Sequence, residues 1–129
     1  MGQISSSDDS PQETPLESDL RRLMNDGRFY DIALKCSDGK IVSGCKAILA
    51  TRSEVFNELV FTGSEKSKLS FNNINSNSMK VILEYLYVSK VKKENLTVDN
   101  IIEVYHASIY FKLIEFQAYI IRKPIIEAR

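Results

Sequence analysis

The chain has 129 residues, of which 17 are basic and 17 acidic, so its formal net charge at pH 7 is zero. Its hydrophobic fraction of 43% is enough for one core, and its length fits one domain of about 100–150 residues. Because nucleic-acid-binding proteins usually carry a basic excess on one face, the balanced charge argues against a nucleic-acid partner. No run approaches the ~20 apolar residues of a membrane span, which predicts an intracellular protein, cytoplasmic or nuclear.

The N-terminal segment, residues 1–13, is rich in Ser, Asp and Gln and has no aromatic residue, which predicts a disordered tail. Its first residues, Met-Gly-Gln-Ile-Ser-Ser, fit the myristoylation pattern with Gly2 as the acceptor. One acyl chain binds a membrane only marginally, and no polybasic patch lies beside this one, so we expect no stable membrane insertion.

A short helix is predicted directly after the tail. Thr14 can cap it, Pro15 suits its first position, and Glu17 completes a capping box. Four apolar residues then follow at helical spacing: Leu16, Leu20, Leu23 and Met24. Because a helix of about ten residues is marginal alone in water, this stripe must pack against another surface.

A β-hairpin is predicted next. Apolar and polar residues alternate over 30–36, an Asp-Gly turn follows at 37–40, and the return strand begins at Ile41. The later predicted elements are helices over 45–60 in two pieces, a strand at 69–71, a helix from Asn75 or Ser76, an extended segment at 88–91, a helix capped by Thr97, and a helix over 113–122 with Phe116, Ile120 and Ile121 inward. Three short strands cannot enclose a core, so helices must cover the sheet, and the predicted fold class is α+β.

Residues suited to catalysis are scarce. His106 is the single histidine, and no Ser or Cys nucleophile motif or glycine-rich phosphate loop accompanies it. Cys36 and Cys45 lack C-x-x-C spacing and are predicted to be free thiols. Helical carboxylates such as Glu84 are predicted to be solvated. We therefore expect a protein that is not an enzyme and that holds no cofactor or metal.

Several segments, taken in order, resemble the BTB/POZ domain. They are YDIALKC at 30–36, GCKAILATRSEVF at 44–56, VILEYLY at 81–87, LTVDN at 96–100 and the stretch 107–116. The resemblance covers residues 16–122. It implies a small three-stranded sheet covered by about six helices, with the domain over 14–123 and short tails at 1–13 and 124–129.

The resemblance also implies a protein-interaction module that pairs with a second copy of itself. BTB domains typically dimerise through the N-terminal helix and the first helix after the hairpin. By position, the interface would contain Leu16, Leu20, Leu23, Met24, Cys45, Ile48 and Leu49. Asp31 and Lys46 are expected to form a partly buried ion pair in a charged pocket.

A second use of the family is as a substrate adaptor for cullin-RING ubiquitin ligases, with the cullin scaffold and ubiquitination substrates as partners. The candidate cullin contacts by position are Ser64, Glu65 and Phe111. Many cullin-binding members carry an apolar residue two positions before the glutamate, and this chain has Gly63 there. Two alternatives stay open: a dimerisation or regulatory subunit without cullin binding, transcriptional or titrating other BTB proteins as a heterodimer, and a monomeric elongin-C-like linker. The N-terminal helix argues against the linker.

Overall fold

The computed structural model describes residues 12–123. Its helices are α1 Pro15–Met24, α2 Lys46–Arg52, α3 Glu54–Phe61, α4 Ser76–Val88, α5 Ile101–Tyr110 and α6 Ile114–Ile121. Its strands are β1 Ile32–Lys35, β2 Ile41–Gly44 and β3 Lys68–Ser70. The predictions for Gly2 and for the tail 124–129 lie outside the described residues, as does all of the predicted tail 1–13 except its last two residues.

The three strands form one mixed sheet in the order β2-β1-β3. β1 and β2 form the predicted antiparallel hairpin, in which Leu34 lies opposite Val42. Its turn uses Gly39 with a φ of +82°, a left-handed conformation that suits glycine. β3 returns parallel to β1, so β2 forms one edge of the sheet.

Helix α4 is the central element. Ten of its 13 residues are buried, and α1, α2, α5 and β2 all pack against it. The core also contains an aromatic cluster, in which the rings of Phe56 and Phe111 stack with their centroids 4.6 Å apart. The α+β class and the small helix-covered sheet that the sequence predicts are therefore confirmed.

Three local predictions fail. α5 begins at Ile101 instead of just after Thr97, because residues 98–100 form a turn in which Asn100 Oδ1 accepts the Thr97 N–H at 2.8 Å. The first half of the predicted extended segment 88–91 is not extended, since Val88 is still helical and Ser89 ends α4 at a φ of +65°. Ile121, predicted to point inward, is exposed, whereas Phe116 and Ile120 are buried as expected.

Candidate interaction surfaces

Helix α1 begins at the predicted capping box. The Thr14 N–H donates to Glu17 Oε1 at 2.9 Å, and the Glu17 N–H donates to Thr14 Oγ1 at 3.1 Å. The helix has ten residues, none of them buried. Leu16 is 66% exposed, whereas Leu23 packs against the core of its own chain, as does Met24. The apolar stripe is therefore divided: its C-terminal residues Leu23 and Met24 pack against the core, and its N-terminal residue Leu16 is exposed.

A buried ion pair fixes α1 to α4. Arg21 Nη1 donates to Glu84 Oε2 at 2.7 Å, and Glu84 is 3% exposed. The same carboxylate accepts hydrogen bonds from the Lys92 N–H and from Asn95 Nδ2, both at 2.9 Å. The prediction that Glu84 is solvated is wrong, because α4 is enclosed on nearly all sides and its carboxylate meets an arginine 63 residues earlier in the chain.

Arg21 also binds the start of the described chain. Its Nε donates to Glu13 Oε2 at 3.0 Å. This hydrogen bond lowers the pKa of the Glu13 carboxyl and raises the pKa of the Arg21 guanidinium. The residues just before α1 are thus held beside the helix, close to its buried ion pair.

The expected ion pair between Asp31 and Lys46 is replaced by two other contacts. Asp31 Oδ1 accepts the backbone N–H of Lys46 at 2.6 Å and so caps the first turn of α2. Lys46 Nζ instead pairs with Glu65 Oε2 at 2.6 Å. The prediction brought the correct residues together but gave the lysine side chain the wrong partner, because Glu65 lies on a loop whose path the sequence does not define.

The start of α2 is further fixed by a tyrosine of α4. The Cys45 N–H donates to Tyr87 Oη at 2.8 Å, and burial raises the pKa of Tyr87 to about 12. Cys45 and Ile48 are half-buried and pack against the core. Leu49, placed in the dimer interface by position, has no exposed surface and belongs to the core of its own chain, so it cannot contact a partner in this conformation.

The loop between α3 and β3 contains two of the three cullin-contact candidates. Ser64 and Glu65 are exposed. Gly63 has a φ of +77°, and a side chain there would meet nothing within 4 Å. Phe111 is instead buried under the stacked Phe56 ring, so its side chain is not available to a cullin in this conformation.

Sequence reasoning missed two aromatic side chains at helix ends. Phe61 ends α3 immediately before this loop and is 47% exposed, and Tyr110 at the end of α5 is also exposed. Phe61 follows Asn57 and Glu58 at helical spacing, which places it on the polar face of α3 and could have indicated its exposure. Tyr110 lies three residues after the buried Ala107, so its spacing gives no such signal.

The described residues offer little to catalysis. Between residues 12 and 123 no three His, Cys, Asp or Glu side chains come together as a metal site would require. His106 is exposed, and Cys36 and Cys45 are free thiols. Burial raises the pKa of the Cys36 thiol, which disfavours its reactive thiolate. No helix in this part of the chain is both long and apolar enough to cross a membrane.

Comparison with known proteins agrees with this picture of a small domain with partner-binding surfaces. The family model for the BTB/POZ domain matches residues 20–119. Kelch-like protein 41b of Danio rerio is 30% identical over 107 residues, covering 79% of this chain and 17% of the relative. Kelch-like protein 41a of Danio rerio is 31% identical over 108 residues, with the same coverage. The chain thus spans about a sixth of the length of these curated relatives.

Solved structures show the same fold. The BTB domain of human Gigaxonin superposes with a TM-score of 0.64 at 22% identity, over 93% of this chain and 96% of that one. The BTB domain of zebrafish PATZ1 gives a TM-score of 0.61 at 23% identity, over 88% and 98%. The protein is a protein–protein interaction module. It belongs to the BTB/POZ family.

Proposed function

We propose that the protein is a homodimeric interaction module that works as an adaptor for a cullin-RING ubiquitin ligase. The proposal of a homodimer rests on the exposed apolar stripe of α1. Leu16 is uncovered and Leu20 only half-covered, although α1 is too short to be stable alone. A fully buried leucine contributes about 1.5–3 kcal/mol, so covering this stripe with a second copy stabilises both helices.

Residues at the start of α2 support the same dimer interface. α1 and α2 both pack against α4. Cys45, directly before α2, and Ile48 on α2 are half-buried, with surface left for a partner. We define the dimer face as Leu16 and Leu20 of α1 with Cys45 and Ile48. A two-fold pair that uses this face on both copies closes on itself and leaves no unpaired face for further copies.

The dimer is tested by replacing Leu16 and Leu20 with aspartate. We expect the wild-type protein to show twice the 14.7 kDa chain mass by light scattering after size exclusion, and the double variant to show one chain mass. Two buried carboxylates without partners would cost more than the interface contributes. Ile102→Asp is the matched control, because Ile102 on α5 is as exposed as Leu16, both at 66%. A wild-type monomer, or a dimer that survives the double variant, contradicts the model.

The adaptor role rests on the family resemblance and on the loop after α3. Gly63 supplies no apolar contact, but Phe61 lies two residues earlier and is exposed. We propose that Phe61 provides the apolar contact and Glu65 the adjacent charge for a cullin scaffold. The two Kelch-like relatives are matched over the region that contains this loop, which supports the same assignment.

Calorimetric titration with a cullin N-terminal domain tests the adaptor role. We expect a dissociation constant below about 50 µM, weakened about tenfold or more by Phe61→Ala, because a central aromatic contact often contributes over 2 kcal/mol. Phe29→Ala is the control, since Phe29 is 49% exposed against 47% for Phe61 and lies in the α1–β1 loop. Absence of binding at this concentration would rule out the adaptor role and leave the dimer standing.

That outcome would favour the second candidate, a dimerisation or regulatory subunit that binds no cullin. Three observations support it. Gly63 stands where the apolar residue is expected, and the carboxylate of Glu65 is already paired with Lys46. Phe111, the third candidate contact, is in the core.

A further inference from the structure

The free edge of β2 borders a groove on the face of the domain. The groove has a volume of about 720 Å³. β2 forms one wall, the C-terminal part of α1 with Tyr30 forms another, and α4 with the segment 92–100 forms the rest. An open strand edge beside a groove of this size is the arrangement that binds extended peptides by strand addition.

The hydrogen-bond register shows which backbone groups β2 leaves free. The Cys36 N–H donates to the Lys40 carbonyl at 2.9 Å, and Leu34 lies opposite Val42. In an antiparallel ladder such bonded positions alternate, so the residues between them turn their N–H and C=O groups to the other side. Those residues are Ile41 and Ser43. Outside the ladder with β1, their backbone groups make no hydrogen bond to another backbone group in the range 12–123.

The side chains along the groove define what kind of peptide fits. Ile41 and Tyr30 are exposed apolar or aromatic groups at its wall. Lys80 and Lys92 also line it, and neither forms an ion pair with a described carboxylate. Arg21, which also lines the groove, shares its guanidinium between Glu84 and Glu13, so Glu84 is only partly neutralised.

The lining has three cations, Arg21, Lys80 and Lys92, against two carboxylates, Glu84 and Glu94, an excess of one positive charge. Lys40, at the start of β2, adds another exposed cation without an ion-pair partner among the described residues. The groove therefore favours negative charge in its occupant.

We propose that this groove binds an extended segment of a partner protein, which adds a strand to β2 and carries acidic residues on either side of an apolar one. The segment exchanges backbone hydrogen bonds with Ile41 and Ser43, places its apolar side chain against Ile41 and Tyr30, and directs its carboxylates to Lys80 and Lys92.

This site is separate from the dimer face. Successive residues of a helix are rotated by about 100°, so Arg21 and Asn25, which line the groove, lie on a different face of α1 from Leu16 and Leu20. Met24 also lines the groove but packs against the core of its own chain, so the lining and the dimer face share no residue. Loss of dimerisation in the Leu16 and Leu20 variant leaves this proposal standing.

The test selects binders from a displayed library of random octapeptides on the full chain, followed by titration of the enriched peptides as synthetic probes. The deciding variant is Ser43→Pro, which removes the outward N–H of β2 without breaking a bond to β1, and edge strands tolerate proline. Ser43→Ala is its matched control. Lys80→Glu tests the charge preference.

We expect enriched peptides that alternate β-branched or aromatic residues with others and contain an acidic residue. Their affinity should fall about tenfold or more with Ser43→Pro, stay within about twofold with Ser43→Ala, and fall several-fold with Lys80→Glu. Should Ser43→Pro fail to fold, N-methylation of alternate peptide amides gives the same test on the wild-type chain and should abolish binding.

Three results would overturn the proposal. The first is a library with no enrichment on the wild-type chain. The second is a set of enriched peptides that bind equally well after Ser43→Pro or after N-methylation. The third is enrichment that occurs solely on a chain lacking residues 1–11, which would assign the groove to the N-terminal tail of the protein itself.

Discussion

Replacing Arg21 with alanine is expected to lower the free energy of unfolding by about 3–5 kcal/mol. The guanidinium is the charged partner of Glu84, whose carboxylate is almost completely removed from solvent. Without it, the carboxylate keeps the Lys92 N–H and the Asn95 amide but has no compensating positive charge. A buried charge without a partner costs far more than the pair contributes, so the loss should be among the largest for any polar side chain here.

The adjacent arginine provides the control. The Arg22 side chain is 77% exposed and pairs with the exposed Asp19, whereas the Arg21 side chain is 14% exposed. Arg22→Ala should change stability by no more than about 0.5 kcal/mol. Urea unfolding of both variants at one protein concentration separates the cases and holds any dimer contribution fixed. Equal losses would show that the Arg21–Glu84 pair does not anchor α1.

The features that the sequence predicts well are those fixed by neighbouring residues. The capping box at Thr14 forms as expected, and Asn75, one of the two predicted starts of its helix, caps α4 with its side chain. Each is a hydrogen bond between residues three apart in the chain, so the signal and the structure lie in the same short segment. The hairpin over 32–44 was predictable for the same reason, because alternation and an Asp-Gly turn set its register.

The features that the sequence predicts poorly depend on distant segments. The sequence predicts a solvated Glu84 because its own helix suggests an outward face, but the residue that pairs with it comes from α1. The family resemblance pairs Lys46 with Asp31, but Glu65 on another loop reaches its ammonium group. An ion pair can form with any nearby opposite charge, and which one is nearest follows from the packing of whole elements.

Two aromatic residues differ in a way that their spacing indicates. Phe111 follows the buried Val104 and Ala107 at helical spacing and is in the core, whereas Phe61 follows Asn57 and Glu58 and is exposed at the end of α3. The difference decides which of the two is available to a partner.

Burial of an aromatic ring in this core has a measurable effect on stability. Phe56→Ala is expected to lower the free energy of unfolding by about 3–5 kcal/mol, because its fully buried ring stacks on Phe111 and meets Phe71 edge-on at a centroid distance of 6.0 Å. Removing it leaves a cavity that the surrounding rings, held between α3, β3 and α5, can fill only in part.

Phe61→Ala, on the same helix, is the control for the core substitution Phe56→Ala. It is also the variant that tests the proposed cullin contact. Its side chain is about half in water, so its loss should cost about 1 kcal/mol or less. Chemical denaturation of the two variants under identical conditions gives the comparison. If Phe61→Ala proved as destabilising as Phe56→Ala, the residue would be structural, and a loss of cullin binding in that variant would no longer identify a contact. If it is well tolerated, the same loss of binding assigns the end of α3 to the partner surface.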